Sequence, residues 1–161
     1  PAPKQPAGVT ARAAFDRLKS LAGEWTGHIM TKDGPPGTVV YRVASNGNAV
    51  EETLLPGSDH EMITMYFIDG DELRAKHFCG IGNQPEWKLD RAKSTADLLE
   101  FVFTGGTNMN AAKDGHVHGG RIRVVGERLE NEWEYFEGGA KKGGHLFFLA
   151  RAVHRSAPVA K

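Results

Sequence analysis

Three histidines and the single cysteine of this 161-residue chain fall in short segments that alternate apolar and polar residues. His116 and His118 form a His-x-His pair, and His77 and Cys79 form a His-x-Cys pair. In an extended strand the two side chains of such a pair lie on one face, about 7 Å apart. Imidazole and thiolate groups at that spacing can ligate zinc, copper or iron when neighbouring strands supply further ligands.

Charged residues predict which of these side chains face inward. Arg74 and Lys76 belong on a solvated face, which sends His77 and Cys79 to the opposite face of their strand. The arginines of segment 116–125 likewise send its two histidines inward. The predicted ligand-binding residues, from inward faces and from glycine-rich loops, are His60, Met62, Tyr66, His77, Cys79, Asn83, Asn108, His116, His118, Trp133 and Tyr135.

Several interpretations of these polar side chains stay open at this point. They could form interior hydrogen-bond networks, contact a ligand, or bind a metal through His77, His116 and His118. A Cys–His nucleophile would need a histidine from another strand, because His77 and Cys79 are about 7 Å apart on one strand. The glycine-rich loops could offer amide donors to a ligand or be ordinary turns, and neither has the pattern of a phosphate-binding loop.

Composition limits the classes of partner. Lysine plus arginine and aspartate plus glutamate number 20 each, so the formal net charge is zero, and neither a basic cluster nor an acidic tail stands out. No apolar run approaches the roughly 20 residues of a membrane span. We therefore expect a soluble protein with a small-molecule ligand and with neither nucleic acid nor membrane as partner; the oligomeric state stays open.

The chain is predicted to form one domain over residues 10–155, between a disordered leader at 1–9 and a disordered tail at 156–161. The leader is proline-rich and begins without methionine. This is typical of a mature terminus after signal-peptide removal and favours the periplasm or secretion, although a trimmed chain would look the same. A single cysteine cannot form an internal disulfide, so cysteine usage leaves the compartment open.

The segments indicate an all-β fold after one short helix. Thr10 can cap a helix whose apolar stripe contains Phe15, Leu18 and Leu21, and Gly23 ends it. Ten alternating runs follow, at about 24–31, 38–45, 48–55, 60–68, 72–79, 86–91, 98–104, 116–125, 127–136 and 144–152. Short turns between them favour an antiparallel up-and-down barrel, and ten strands would leave room for a cavity.

The segment Leu21-Ala-Gly-Glu-Trp-Thr-Gly27 resembles the Gly-x-Trp start of lipocalins, fatty-acid-binding proteins and nitrobindins. With the runs 56–62, 77–85, 105–108 and 114–118, the chain resembles a bacterial family of lipocalin-like domains of unknown function over most of residues 15–152. The resemblance implies a calycin-type barrel that Trp25 closes at one end, and it brings no established activity.

Nitrobindins bind haem through a histidine of the last strand, and His145 lies in a comparable place. The cofactor is thus unknown, with haem or a transition metal as candidates. Strand alternation with Arg151 outward would turn His145 outward, although a slip of one residue reverses this.

We expect the protein to bind a small, partly apolar molecule in a barrel cavity that carries a histidine-rich polar patch. The alternative is an enzyme that uses the interior His/Cys cluster by acid–base, metal-dependent or haem-dependent chemistry. A third class, a structural or protein-interaction domain, would have a packed interior.

Overall fold

The computed structural model describes residues 8–153. The predicted tail and all of the predicted leader except Gly8 and Val9 lie outside these residues. No helix within 8–153 is long and apolar enough to cross a membrane.

One helix, α1, spans Ala11–Ser20. The hydroxyl of Thr10 caps it by accepting a hydrogen bond from the amide of Ala13 at 3.1 Å, as the sequence predicted. Its apolar face, which includes Phe15 and Leu18, is fully buried. The helix therefore packs as an amphipathic element against the rest of the chain.

Ten strands follow, joined by short turns and by one 3-10 turn at Ser45–Gly47. They are β1 (Gly23–Ile29), β2 (Pro36–Ala44), β3 (Ala49–Leu54), β4 (Met62–Asp69), β5 (Glu72–Phe78), β6 (Gln84–Leu89), β7 (Leu98–Thr107), β8 (His116–Val125), β9 (Arg128–Glu137) and β10 (Ala140–Arg151). Each pairs antiparallel with its neighbours in sequence, and β1 pairs with β10. The predicted closed ten-stranded antiparallel barrel is confirmed, and its architecture is calycin-like.

Helix α1 and Trp25 close one end of the barrel. The Trp25 side chain is 1% exposed, and its Nε1 donates to the carbonyl of Leu21 at 2.8 Å. The guanidinium of Arg151 lies 4.4 Å from the Trp25 ring centroid and donates to the carbonyls of Ala22 and Ser20. Arg151 thereby connects β10 to the C-terminus of α1 across the ring of Trp25.

Large side chains fill the barrel axis within the described range. Trp87, Tyr41 and Tyr66 are at most 1% exposed, and they share the interior with aliphatic residues from most strands. The buried polar side chains of residues 8–153 include no lysine or arginine. The interior thus combines large apolar side chains with a few buried polar groups.

The barrel wall parts at the end opposite the helix, which we call the open end. β7 and β8 pair only from Leu98–Arg123 to Val102–Gly119. Beyond that point β7 continues beside β6, and β8 continues beside β9. The register of β8 shifts between Val117 and Gly119, which leaves His118 as a bulged residue.

A candidate binding site inside the barrel

A fully buried carboxylate, Glu52 of β3, lies at the centre of the barrel. The hydroxyl of Tyr66 donates to its Oε2 at 2.6 Å, and that of Tyr41 donates to its Oε1 at 2.9 Å. The side-chain amide of Asn131 also donates to Oε1. Three neutral donors therefore surround one carboxylate that has no cationic partner among the buried residues of 8–153.

Burial dominates the ionisation of this group. It raises the pKa of Glu52 from 4.5 to about 7, against the hydrogen bonds from Tyr66, Tyr41 and Asn131, which lower it. Burial, followed by the charge of Glu52, raises the pKa of both tyrosines well above 10. The tyrosines thus remain donors, and Glu52 changes charge near neutral pH.

The imidazole of His77 on β5 is fully buried beside this carboxylate layer. Its Nδ1 lies 2.9 Å from the hydroxyl oxygen of Thr64. The ring stacks on Trp87 and Trp133, with centroid distances of 5.3 and 6.1 Å. Desolvation lowers the pKa of His77 from 6.5 to about 4, so the imidazole is neutral at pH 7.

Two ring nitrogens of this aromatic stack have no hydrogen-bond partner among the described residues. They are Nε2 of His77 and Nε1 of Trp133, and both atoms are shielded from solvent. Buried side-chain nitrogens are nearly always paired with protein or with water, because leaving one unpaired costs about 1–3 kcal/mol. These two atoms are therefore the strongest signs of a missing binding partner in the interior.

His116 and His118 form a second cluster, in the gap between β7 and β8. Nδ1 of His116 lies 2.9 Å from the carbonyl of Asp114, and its Nε2 lies 2.9 Å from Nδ1 of His118. The His118 ring stacks between Phe103 and Phe136, at 4.5 and 3.9 Å. Desolvation, followed by His116, lowers the pKa of His118.

The bulge at His118 affects one prediction. His116 pairs with Phe136, whereas Gly120 pairs with Trp133, and those two residues of β9 lie on opposite faces by alternation. The shift therefore interrupts the alternation from which a common inward face of His116, His118 and the later residues was predicted, although His116 itself is fully buried. The described residues include no group of three or more His, Cys, Asp or Glu that could hold a metal ion.

The predicted inward position of His60 is wrong. His60 is exposed in the turn before β4, where its amide donates to the hydroxyl of Ser58 at 3.2 Å. The carboxylate of Glu61 accepts from the amide of Gly57 at 2.6 Å in the same turn. These local bonds hold the backbone in a turn, so the strand begins only at Met62.

Cys79 and Met62 lie together at the open end, with their sulfur atoms 3.9 Å apart. Both are half-buried, so Cys79 is less enclosed than the alternation of its strand predicted. Tyr135 is also half-buried, and its hydroxyl packs so closely on Gly115 that a β-carbon there would collide with it.

The two glycine-rich segments are structured by their own hydrogen bonds. Asn83 is buried and donates to the carbonyl of Gly115 at 2.8 Å, while its Oδ1 has no partner among the described residues. Asn108 is exposed and donates to the carbonyl of Gly82 at 2.7 Å. Of these two, Asn83 alone is enclosed.

In β10 the side chains of Phe147 and Leu149 are buried in the core. Alternation counted from an outward Arg151 would have placed both of them outside, so the observed faces are the reverse. His145 pairs with Trp133 on that same face, yet it is exposed at the open end. Haem binding at His145 stays a prediction.

Glu52 was absent from the predicted site residues, and Tyr41, Thr64 and Asn131 were predicted only as inward-facing. The sequence signal is the adjacent pair Glu51 and Glu52, which in one strand must face opposite sides. In the structure Glu51 faces outward, where it forms a cross-strand ion pair with Arg42 at 2.8 Å. An outward Glu51 requires an inward Glu52. The site therefore contains His77, Tyr66 and Trp133 of the predicted set, together with Glu52 and these three inward-facing residues.

No protein-family model matches the chain, and no curated protein matches it. The barrel architecture is accordingly the part of the lipocalin-like resemblance that stands.

Proposed function

We propose that this protein binds a small, partly apolar molecule against the stacked rings of His77, Trp87 and Trp133. The observation that carries the proposal is the pair of buried, unpaired nitrogens on this stack, Nε2 of His77 and Nε1 of Trp133. A molecule with an apolar body and hydrogen-bonding groups would pack against the rings and supply partners for these nitrogens.

The barrel fold is compatible with small-molecule binding. The open end supplies the route of entry, because Met62, Cys79 and Tyr135 there are half-buried and not locked into the core. Methionine is unbranched and adapts its shape to a neighbour at low cost. Entry of the ligand displaces these side chains and leaves the backbone of the barrel in place.

We also propose membership of the lipocalin-like family, on the Gly-x-Trp start and the closed ten-stranded barrel. The buried Trp25 plug supports this assignment because it has the role that the resemblance implies.

An enzyme is the second candidate. The observation in its favour is the buried, neutral imidazole of His77, whose Nδ1 lies 2.9 Å from the hydroxyl oxygen of Thr64. A hydrogen bond at one ring nitrogen can orient an imidazole for proton transfer at the other nitrogen. Turnover of a bound compound, followed by mass spectrometry of the mixture, distinguishes an enzyme from a carrier.

Binding can be tested with the neutral apolar fluorophore N-phenylnaphthylamine, and native mass spectrometry identifies any compound that the purified protein retains. We expect saturable one-site binding with energy transfer from the tryptophans. Trp133→Phe and His77→Phe should change the affinity, whereas the matched control His60→Ala, at an exposed position, should not. The proposal fails if the probe does not bind, the purified protein retains nothing, and a crystal structure shows water at both nitrogens.

A further inference from the structure

We infer that a second copy of this chain covers the outer face of β4, so that the protein forms a weak, symmetric homodimer. The two barrels pack side by side, related by a twofold axis that runs along β4. This inference concerns the outside of the barrel wall, and it stands or falls independently of the proposed binding function.

The outer face of β4 is apolar at three successive positions. These are Ile63, Met65 and Phe67. They point outward because Thr64 and Tyr66, which alternate with them, are fully buried. Phe78 of β5 pairs with Ile63 and extends the surface onto the next strand, and the two phenylalanines are exposed, at 37% for Phe67 and 45% for Phe78. We call these four residues the β4 patch; a contiguous apolar surface of this kind marks an interaction site.

The charges on either side of the patch alternate in sign across the sheet. One cross-strand row contains, in order, Arg42, Glu51, Met65, Lys76 and Glu86. Met65 lies at its centre, with two opposite charges on each side. Within the chain these charges form the ion pairs Arg42–Glu51 and Lys76–Glu86, each at 2.8 Å. The row therefore has no net charge, and its two halves are opposite in sign at each step from the centre.

This pattern is complementary to itself after a rotation of 180° about the direction of β4. The rotation exchanges the two sides of the row, so Glu51 faces Lys76 of the partner subunit and Arg42 faces Glu86 of the partner subunit at the rim. An axis in the sheet plane but perpendicular to the strand would instead oppose like charges, which is unfavourable. Charge complementarity thus selects a second copy as the partner, and it selects the orientation.

The rows next to this one are compatible with the same axis. Thr53 of β3 then faces Phe78 of the partner subunit, and Ala49 faces Arg74 of the partner subunit, so these rows bring no like charges together. Three strands about 4.8 Å apart and five residues of about 3.4 Å each give a central contact of roughly 15 by 17 Å. That contact is small beside the roughly 800 Å² per partner of a standard interface, so we expect a dissociation constant on the order of 100 µM.

Sedimentation velocity at protein concentrations from about 5 to 500 µM tests the dimer. We expect the mean sedimentation coefficient of the wild type to rise with concentration. Met65→Lys should weaken association at least about tenfold, because it places two cations at the centre of the contact. The matched control is Val125→Lys, at an apolar residue of β8 that is 61% exposed and lies outside the patch, and it should associate as the wild type does.

Charge reversals test the orientation. Glu51→Lys and Lys76→Glu should each weaken association at least about tenfold, since each brings two pairs of like charges together in the dimer. An equimolar mixture of these two variants should restore association, because residues 51 and 76 then face an opposite charge at both contacts. Circular dichroism and urea unfolding establish that each variant is folded.

The inference is overturned if the wild type stays monomeric at about 500 µM, including the case in which the patch instead binds phosphatidylcholine vesicles. It is equally overturned if a dimer forms that Met65→Lys leaves intact. Single charge reversals without effect would refute the orientation. If Met65→Lys does not fold, backbone NMR of the wild type over the same concentrations decides the question: the amide shifts should change along β3, β4 and β5, and changes confined to other strands would assign the contact to another face.

Discussion

Glu52 and His77 should contribute to stability with opposite dependence on pH. The pKa of Glu52 is raised by burial from 4.5 to about 7, so the folded state binds this proton more tightly than the unfolded chain. Its contribution is fully present below pH 4.5 and is lost as pH rises to about 7. At about 1.4 kcal/mol per pH unit, the difference corresponds to about 3 kcal/mol.

His77 acts in the other direction. Desolvation lowers its pKa from 6.5 to about 4, so the unfolded chain binds this proton more tightly. Its contribution is fully present above pH 6.5 and is lost as pH falls to about 4, again about 3 kcal/mol in all. Between pH 4.5 and 6.5 the two contributions to the free energy of unfolding change with pH at equal and opposite rates. They therefore cancel in the wild type.

The variants Glu52→Gln and His77→Gln expose each slope. The free energy of unfolding is measured in urea at intervals from pH 4.5 to 6.5, as the difference from wild type. We expect this difference to rise with pH by about 1.4 kcal/mol per unit in Glu52→Gln and to fall by the same amount in His77→Gln. The lowered pKa of His118 is common to all proteins and cancels in the differences.

The double variant is the control, because Glu52 and His77 are both cross-strand neighbours of Thr64 and their effects need not add. Its free energy of unfolding should have the same dependence on pH as that of the wild type over this range. If Glu52→Gln and His77→Gln both run parallel to the wild type, neither group has a displaced pKa, and the interior is more hydrated than the packing indicates.

Three further predictions concern stability in urea at neutral pH. Trp25→Ala should cost about 3–5 kcal/mol because it empties the barrel plug; a loss below about 1 kcal/mol would contradict that role. Gly120→Ala should cost about 1–3 kcal/mol, since its β-carbon would collide with the carbonyl oxygen of Glu132 and with the Trp133 ring, whereas Gly143→Ala, where nothing lies within 4 Å, should be nearly neutral. Equal losses in the two glycine variants would rule out the packing explanation. Thr10→Ala should cost about 1 kcal/mol through loss of the helix cap, and an unchanged unfolding midpoint would show that the cap is dispensable.

Alternation alone predicted most of the barrel. It placed the ten strands in order and located the inward faces of β5 and β9, where Leu73, Ala75, Leu129 and Asn131 are buried. These predictions succeeded because charged residues mark the solvated face of each strand. The capped helix followed from Thr10 by local chemistry that needs no tertiary information.

The site was less predictable because it depends on departures from alternation. A buried carboxylate such as Glu52 violates the usual pattern, and only its position next to an outward Glu51 reveals it. The bulge at His118 reverses the face of half a strand, and the glycines that follow it, Gly119 and Gly120, were a signal that alternation alone does not use. The hydrogen bond from the amide of His60 to Ser58 belongs to the turn before β4, so His60 lies outside the strand.

Closure of the sheet by β1 and β10 has a consequence for how the chain folds. Every other pairing joins consecutive strands and can form as a local hairpin, whereas Arg151 meets Ala22 across 129 residues. The entropy of closing so long a loop must be offset by few contacts, so this seam should form after the transition state. Gly27→Ala, whose β-carbon would collide with the Phe148 carbonyl, should then accelerate unfolding and leave the refolding rate nearly unchanged in stopped-flow fluorescence. A proportionate slowing of refolding would instead mean that the ring closes early and the hairpins assemble within it.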